Sequence, residues 1–438
     1  MNKRILTLAS AILLSGATAF AQKVEFSEFD LDNGLHVILH QDNSAPVVTT
    51  AVMYHVGAKN EDPERTGFAH FFEHLLFEGT KNIGRGKWFD IVSQNGGSNN
   101  ANTTDDRTYY YEVFPSNALE VGLWMESERM LHPVIDQVGV DTQNEVVKEE
   151  KRLRVDNQPY GSFLAEVKKN LFIKHPYRWA TIGSMAHLDA ATLDEFQTFN
   201  KTYYSPNNAV LVVAGDFKTK EATELIKKYF STIPKGTPVV QPKIEEAPIT
   251  ETIKAEYQDP NIQIPAIVAA YRTPSMKEKD AYVLDMISSL LSDGKSSRLF
   301  KKVVDTKKMA LQIGAFNVSQ EDYGMYVIYG LPMGENTTDD LLVEIDEEIE
   351  ILKKELISDE DYQKLQNKME NQFVNSNASI EGIAHSLANY YMLFEDVNLI
   401  NNQIEIYRSI TKEDIKTVAN KYLNANQRLL LDYLPVSE

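Results

Sequence analysis

Two hydrophobic periods alternate along this chain. Residues 35–40 (Leu-His-Val-Ile-Leu-His) alternate after an Asn33-Gly34 turn, which predicts a strand leaving a tight turn. Residues 47–56 and 108–114, the latter with three consecutive Tyr, are β-rich in the same way. Residues 209–214 (Ala-Val-Leu-Val-Val-Ala) form a short, wholly apolar run, as expected of a strand buried on both faces. Between them the period lengthens to that of a helix at 68–78, 116–131, 138–155, 193–203 and 220–230. Residues 24–234 therefore predict one αβ unit. No apolar period survives from 235 to 250, where Pro, Gly, Lys, Thr and Glu dominate, and this segment predicts a linker. Order then resumes with strands at 264–271, 310–319 and 323–331 and helices at 279–291, 297–302, 338–356 and 359–375.

The halves share a register. A strand opening at Ala51 leads to a helix end at Phe77-Glu78-Gly79-Thr80, and one opening at Ala266 leads to Leu291-Ser292-Asp293-Gly294 over nearly the same distance. Such agreement suggests duplication, with His and Glu in the helix of the first copy alone. The expected domains are thus 22–234 and 251–438, joined by 235–250. Ahead of them, Lys3 and Arg4, an apolar run over 5–14 and the small-residue pattern Ala19-Phe20-Ala21 predict a signal peptide at 1–21, cleaved after Ala21. A periplasmic or secreted protein is expected, with no later run long enough to span a bilayer. There is no Cys, so packing holds the fold and any metal must be bound by His and carboxylate. The net charge of −19 argues against nucleic acid and anionic membranes as partners.

Residues 68–77 (Phe-Ala-His-Phe-Phe-Glu-His-Leu-Leu-Phe) hold the most specific chemistry. On a helix His70 and His74 stand one above the other and can present two imidazoles to one ion, with Glu73 beside them. The rest of the segment is apolar, so these polar groups need a compensating partner, which a metal ion supplies. A hydrolytic zinc site takes three protein ligands and leaves one position for water. The helix at 143–155 offers Glu145, Glu149 and Glu150. Glu150 falls in the middle of the stripe formed by Val146, Val147 and Leu153 and is the expected third ligand, with Glu149 as fallback.

His-x-x-Glu-His followed by a Glu in a Val-Val-x-x-Glu helix resembles the pitrilysin/insulinase family of inverted zinc metallopeptidases. The resemblance continues through Leu31-Asp32-Asn33-Gly34-Leu35, Arg152-Leu153-Arg154-Val155-Asp156-Asn157-Gln158-Pro159-Tyr160, Tyr204-Ser205-Pro206-Asn207-Asn208 and Gly294-Lys295-Ser296-Ser297-Arg298-Leu299-Phe300. It implies an α+β or α/β fold of two homologous αβ domains, each a mostly antiparallel sheet covered by helices, together forming half of a clamshell. It also implies one Zn²⁺ per chain on His70, His74 and Glu150, Glu73 as general base, and peptides as substrates. An edge strand holding Asn99, Asn100, Ala101 and Asn102 would pair with the substrate backbone. The family's Arg and Tyr, seven positions apart in the second half, fall here on Val304 and Leu311, and neither donates a hydrogen bond. A homologous second subunit supplying that pair is therefore expected, as a heterodimer or failing that a homodimer. The competing reading is a non-catalytic structural or assembly subunit. His36 and His40, on one face of an exposed strand with nothing acidic beside them, read as incidental. The acidic run over 339–355 reads as a solvated helix face.

Overall fold

The computed structural model describes residues 23–436, so the leader expected at 1–21 and its expected cleavage site lie outside the described residues. Residues of the first half build a sheet from β1 (Ser27–Asp30), β2 (His36–Gln41), β3 (Val47–Tyr54), β4 (Ser98–Thr103), β5 (Thr108–Pro115) and β6 (Ala209–Gly215) in the order β1-β2-β6-β3-β5-β4. The second half builds β7 (Ile253–Asp259), β8 (Ala266–Thr273), β9 (Ala310–Val318), β10 (Gly324–Pro332) and β11 (Leu429–Pro435) into the order β7-β11-β8-β10-β9. Neighbours run antiparallel except β2 with β6 and β7 with β11, which are parallel. Strand for strand in chain order, β2 to β6 and β7 to β11 repeat one topology. This is two αβ units of one design, each a mostly antiparallel sheet covered by helices.

Each unit lends the other a helix. The Ile380–Asn389 helix, from the second half, packs Ile383, Ala384 and Leu387 against Ile38, Ala51, Met53 and Val212 of the first sheet. The Phe163–Leu171 helix, from the first half, packs Val167 and Leu171 against Val268, Ala270 and Leu431 of the second. Both sheets are thereby covered on two faces, which explains why β6 is buried at every position. The halves cannot be separated without uncovering a sheet face on each side.

Two sequence readings change. The helix expected at 297–302 is a π-helical turn at Phe300–Thr306. The acidic helix Thr338–Lys354 is not uniformly solvated: Glu344 and Glu348 are buried, and Glu344 pairs with Lys302 at 3.0 Å and Lys307 at 2.5 Å. Periodicity shows which positions face the core, but a charge there is tolerated when a partner arrives from another element. The segment 235–250 has no helix or strand, yet it is anchored. Backbone N–H groups of Ile173, Lys174 and His175 all donate to Glu246 Oε1, at 2.7, 2.6 and 2.7 Å.

Burial works to raise the Glu246 carboxyl, but those three N–H bonds outweigh it and hold the group below its ordinary value of 4.5. A depressed carboxyl stabilises the fold fully above the unfolded value and loses that contribution as pH falls through the folded one. Glu246→Ala should therefore lower the unfolding free energy by about 2–3 kcal/mol at neutral pH. In urea titrations the deficit should shrink below the ordinary value of 4.5, and a variant as stable as the parent at pH 7 would contradict the anchoring role.

Candidate metal centre

Phe68, Phe71, Phe72 and Leu75 turn the buried side of the Phe68–Leu75 helix against the first core. Phe196 stacks on Phe68 and Phe71 with ring centroids 4.5 and 4.7 Å apart. Three hydrogen bonds, from two further residues, fix the helix along its axis. At its start, fully buried Glu61 accepts from the N–H of Gly67 at 2.8 Å and of Ala69 at 2.9 Å. Gly67 itself adopts φ 97°, a conformation that favours Gly. At its middle, the Tyr110 hydroxyl donates to the Phe72 carbonyl at 2.9 Å. Burial raises the Glu61 carboxyl to about 8, against the two N–H bonds.

His70, Glu73 and His74 occupy the partly exposed side. The imidazoles of His70 and His74 stand 4.9 Å apart, edge to face. Glu150, on the Gln137–Lys151 helix, directs Oε2 to within 3.0 Å of His74 Nε2 and 3.5 Å of His70 Nε2. One ligand atom from each of the three lies within 4.8 Å of the others. Burial, then the neighbouring His74, push His70 down to about 4, so it presents a neutral ring. The His74 imidazole holds the Glu150 carboxyl below the ordinary range against burial. His70 Nδ1 is buried and finds no hydrogen-bond partner among the described residues. Two imidazole nitrogens and a carboxylate oxygen converging this way fit a single divalent cation.

Glu150 reaches this place for a different reason than its sequence stripe suggests. Val147 is buried, but Val146 and Leu153 are 44% and 57% exposed, so most of the stripe faces solvent and not the core. The other oxygen, Oε1, pairs with the exposed Arg154 at 2.8 Å. Arg154 comes from a π-helical turn at Arg152–Asp156, where the helix pitch changes. Glu149 points away and pairs with Arg152 at 3.0 Å.

Glu73 is held from the sheet. Thr103, the last residue of β4, donates its hydroxyl to Glu73 Oε2 at 2.6 Å. Burial raises the Glu73 carboxyl, opposed by that bond. β4 is the outer strand of its sheet, so Asn99, Asn100, Ala101 and Asn102 lie on a free edge beside the Phe68–Leu75 helix. Their side chains alternate between exposed and half-buried. Glu61, and the bond from Thr103 to Glu73, escaped the sequence reading because each rests on a single polar residue in a loop or strand end, joined to the motif only by folding.

A buried charge cluster backs the helix end. The Arg129 guanidinium, fully buried, donates to Glu126 at 3.0 Å and to Glu112 at 3.2 Å. It lies between the rings of Phe77, Trp88 and Tyr110, within 4.1–4.5 Å of each centroid. Burial and the Glu126 charge push the Glu112 carboxyl well up. A signal for this cluster exists in the sequence: Glu112 alternates with Tyr110 and Phe114 on the core side of β5.

The remaining histidines do not join the centre. His40 is not exposed as its strand suggested: it is buried, with Nδ1 2.6 Å from the Glu25 carbonyl. His36 stacks on Tyr391 with centroids 3.9 Å apart. At the positions where an Arg and a Tyr were sought, Val304 packs against the second core and Leu311 is half exposed on β9.

A family model described as Insulinase (Peptidase family M16) matches residues 36–183, and one described as Peptidase M16 inactive domain matches residues 190–369. Zinc protease PqqE of Helicobacter pylori is 30% identical over 435 residues, covering 97% of each chain. The crystal structure of a protease from Helicobacter pylori superposes with a TM-score of 0.89 at 28% identity, over 94% of this chain and 100% of that one. The periplasmic protease PqqL from Escherichia coli shares the fold at 20% identity with a TM-score of 0.76, over 94% of this chain and 48% of PqqL.

Arg129→Met would leave Glu112 and Glu126 buried without their counter-charge. It should destabilise the protein by about 3–5 kcal/mol, read from chemical denaturation. A loss below about 1 kcal/mol would mean that the cluster is not under electrostatic constraint.

Proposed function

Because this chain belongs to the M16 (insulinase) family of peptidases, we propose that it is a zinc-dependent endopeptidase or oligopeptidase. The observation that carries this reading is the convergence of His70, His74 and Glu150 on one point beside a half-buried, oriented Glu73. His70, His74 and Glu150 hold one Zn²⁺. Zinc bound there supplies Lewis acidity toward a peptide carbonyl and lowers the pKa of water.

Glu73 takes a proton from the attacking water and returns it to the leaving amine. A raised carboxyl suits both directions of that transfer, and the Thr103 hydroxyl fixes which oxygen faces the reaction. The free edge of β4 at Asn99, Asn100, Ala101 and Asn102 receives the substrate as an added strand, which gives affinity through main-chain bonds with little sequence preference.

In this reading residues 22–234 are the peptidase domain, 235–250 the connection and 251–438 its metal-free homologue. Residues 1–21 direct the chain to the periplasm or outside the cell, in keeping with the periplasmic PqqL sharing its fold. Among the described residues no helix is long and apolar enough to cross a membrane. The exposed Leu311 and the apolar Val304 offer no side-chain donor for the substrate carbonyl at those two positions. A homologous subunit carrying Arg and Tyr completes the site. PqqL, about twice the length of this chain, supports a two-unit assembly. Those same two positions favour the second reading, a non-catalytic assembly subunit. Against it, the chain retains every residue of the metal group and its base.

The Glu73→Gln variant should keep one zinc per chain, measured by atomic emission, and lose at least about a hundredfold in cleavage of a quenched peptide. Glu150→Gln should lose the zinc as well. Full activity in Glu73→Gln would sink the mechanism, and a parent chain that takes up no zinc would favour the assembly-subunit reading. Activity should be weak for the purified chain alone and rise when a homologous chain carrying Arg and Tyr is added. Vigorous proteolysis by the homodimer would refute the divided site.

A further inference from the structure

A buried ionic network crosses between the two halves and takes no part in the site as described so far. The turn joining β9 to β10 belongs to the half without the metal motif and is tied to it by Ser275 and Met276, yet other contacts of the turn reach the first half. Gln320 Nε2 donates to Asp105 Oδ2. The Glu321 N–H donates to Asp106 Oδ2 at 3.1 Å, and the Asp322 N–H to the Tyr177 hydroxyl at 3.1 Å. Lys59, its side chain 1% exposed, places Nζ 2.5 Å from Glu321, 3.1 Å from Asp106 and 3.3 Å from Asp322. His55 Nε2 lies 2.8 Å from Glu321 as well. Lys168 holds both oxygens of Asp105, at 2.7 and 2.8 Å.

Asp105 and Asp106 sit in the short loop that joins β4 to β5, one and two residues beyond the start of that loop at Thr104. Thr103, immediately before it, is the residue that holds Glu73. The loop backbone is gripped too: Ala58 N–H donates to the Thr104 carbonyl at 3.1 Å and Lys59 N–H to the Asp105 carbonyl at 2.9 Å. A hairpin that only had to turn would place its carboxylates in water. Here both are buried, which is costly unless every oxygen is paired, and part of the pairing comes from the other half.

We infer that the 320–322 turn is a positioning element for the catalytic carboxylate of the opposite half. The turn holds the 104–107 loop, the loop holds Thr103, and Thr103 orients Glu73. Gln320 and Glu321 are the positioning residues, acting through the hairpin and touching no reacting atom. The metal-free half thus serves the site mechanically, by fixing one end of the strand that also receives substrate. The catalytic consequence rests on the reading of Glu73 as general base, whereas the hold on the hairpin does not.

Hydrogen exchange on the zinc-free mature chain tests the hold directly. In Gln320→Ala the amides of 98–108 should exchange about tenfold faster or more, while those of 27–41 at the far edge of the sheet stay at the parental rate. Glu321→Gln, which removes the charge facing Lys59 but keeps the shape, should do the same and serves if Gln320→Ala fails to fold. Parental exchange over 98–108, or equal acceleration throughout the molecule, would overturn the inference. In peptide cleavage by the zinc-loaded assembly, both variants should lower kcat about tenfold and leave KM within about twofold. The Gln320→Ala, Thr103→Val double variant should be no slower than its slower parent, since both act on one link. A loss through KM alone, or fully additive losses, would overturn the positioning role. A loosened hairpin beside a fully active Glu73→Gln would end the general-base reading and still support the hold on Thr103.

Discussion

Two imidazole nitrogens and a carboxylate oxygen can serve one ion only while they stay at one point, and the architecture around His70, His74 and Glu150 is arranged to keep them there. The helix bearing the imidazoles is only two turns long, too short to be stable by its own hydrogen bonds. It is fixed instead from outside, by Glu61 at its start, Tyr110 at its middle and the Arg129 cluster behind its end. Glu150 comes from a separate helix whose pitch changes just beyond it. A metal-binding point assembled from two elements is only as well defined as the packing that sets them side by side.

That packing depends on both halves of the chain. The repeated topology could have produced two independent units, each covering its own sheet. Instead each supplies a helix to the other, and a network of buried charges ties the β9–β10 turn to the β4–β5 hairpin. Buried ion pairs contribute little net stability but penalise any arrangement that separates them, so they specify relative placement more than they strengthen the fold. The half that lost the metal residues, or never had them, keeps a geometric role.

Much of this was legible in the sequence. The apolar run at 209–214, the alternation at 35–40 and the HxxEH spacing each encode a local period, and local periods are set by backbone geometry. Glu150 could be singled out among three acids, although the stripe that singled it out is largely solvent-facing. Elsewhere local pattern misled. His40 is buried against a backbone carbonyl, and Glu344 finds two lysines inside a helix face that looked solvated. In each case the partner lies on another element, and alternation along one element carries no record of it.

The sequence by itself determined the elements, the duplicated order and the residue types able to bind a metal, because each follows from spacings of a few residues along one chain. Only the tertiary structure decided that Thr103 orients Glu73, that Arg129 is caged by three aromatic rings, and that a turn some 215 residues away in the chain clamps the hairpin beside the site. Those relations join positions whose separation in sequence is arbitrary. They are fixed by which faces must be buried together and by the cost of leaving a charge unpaired inside.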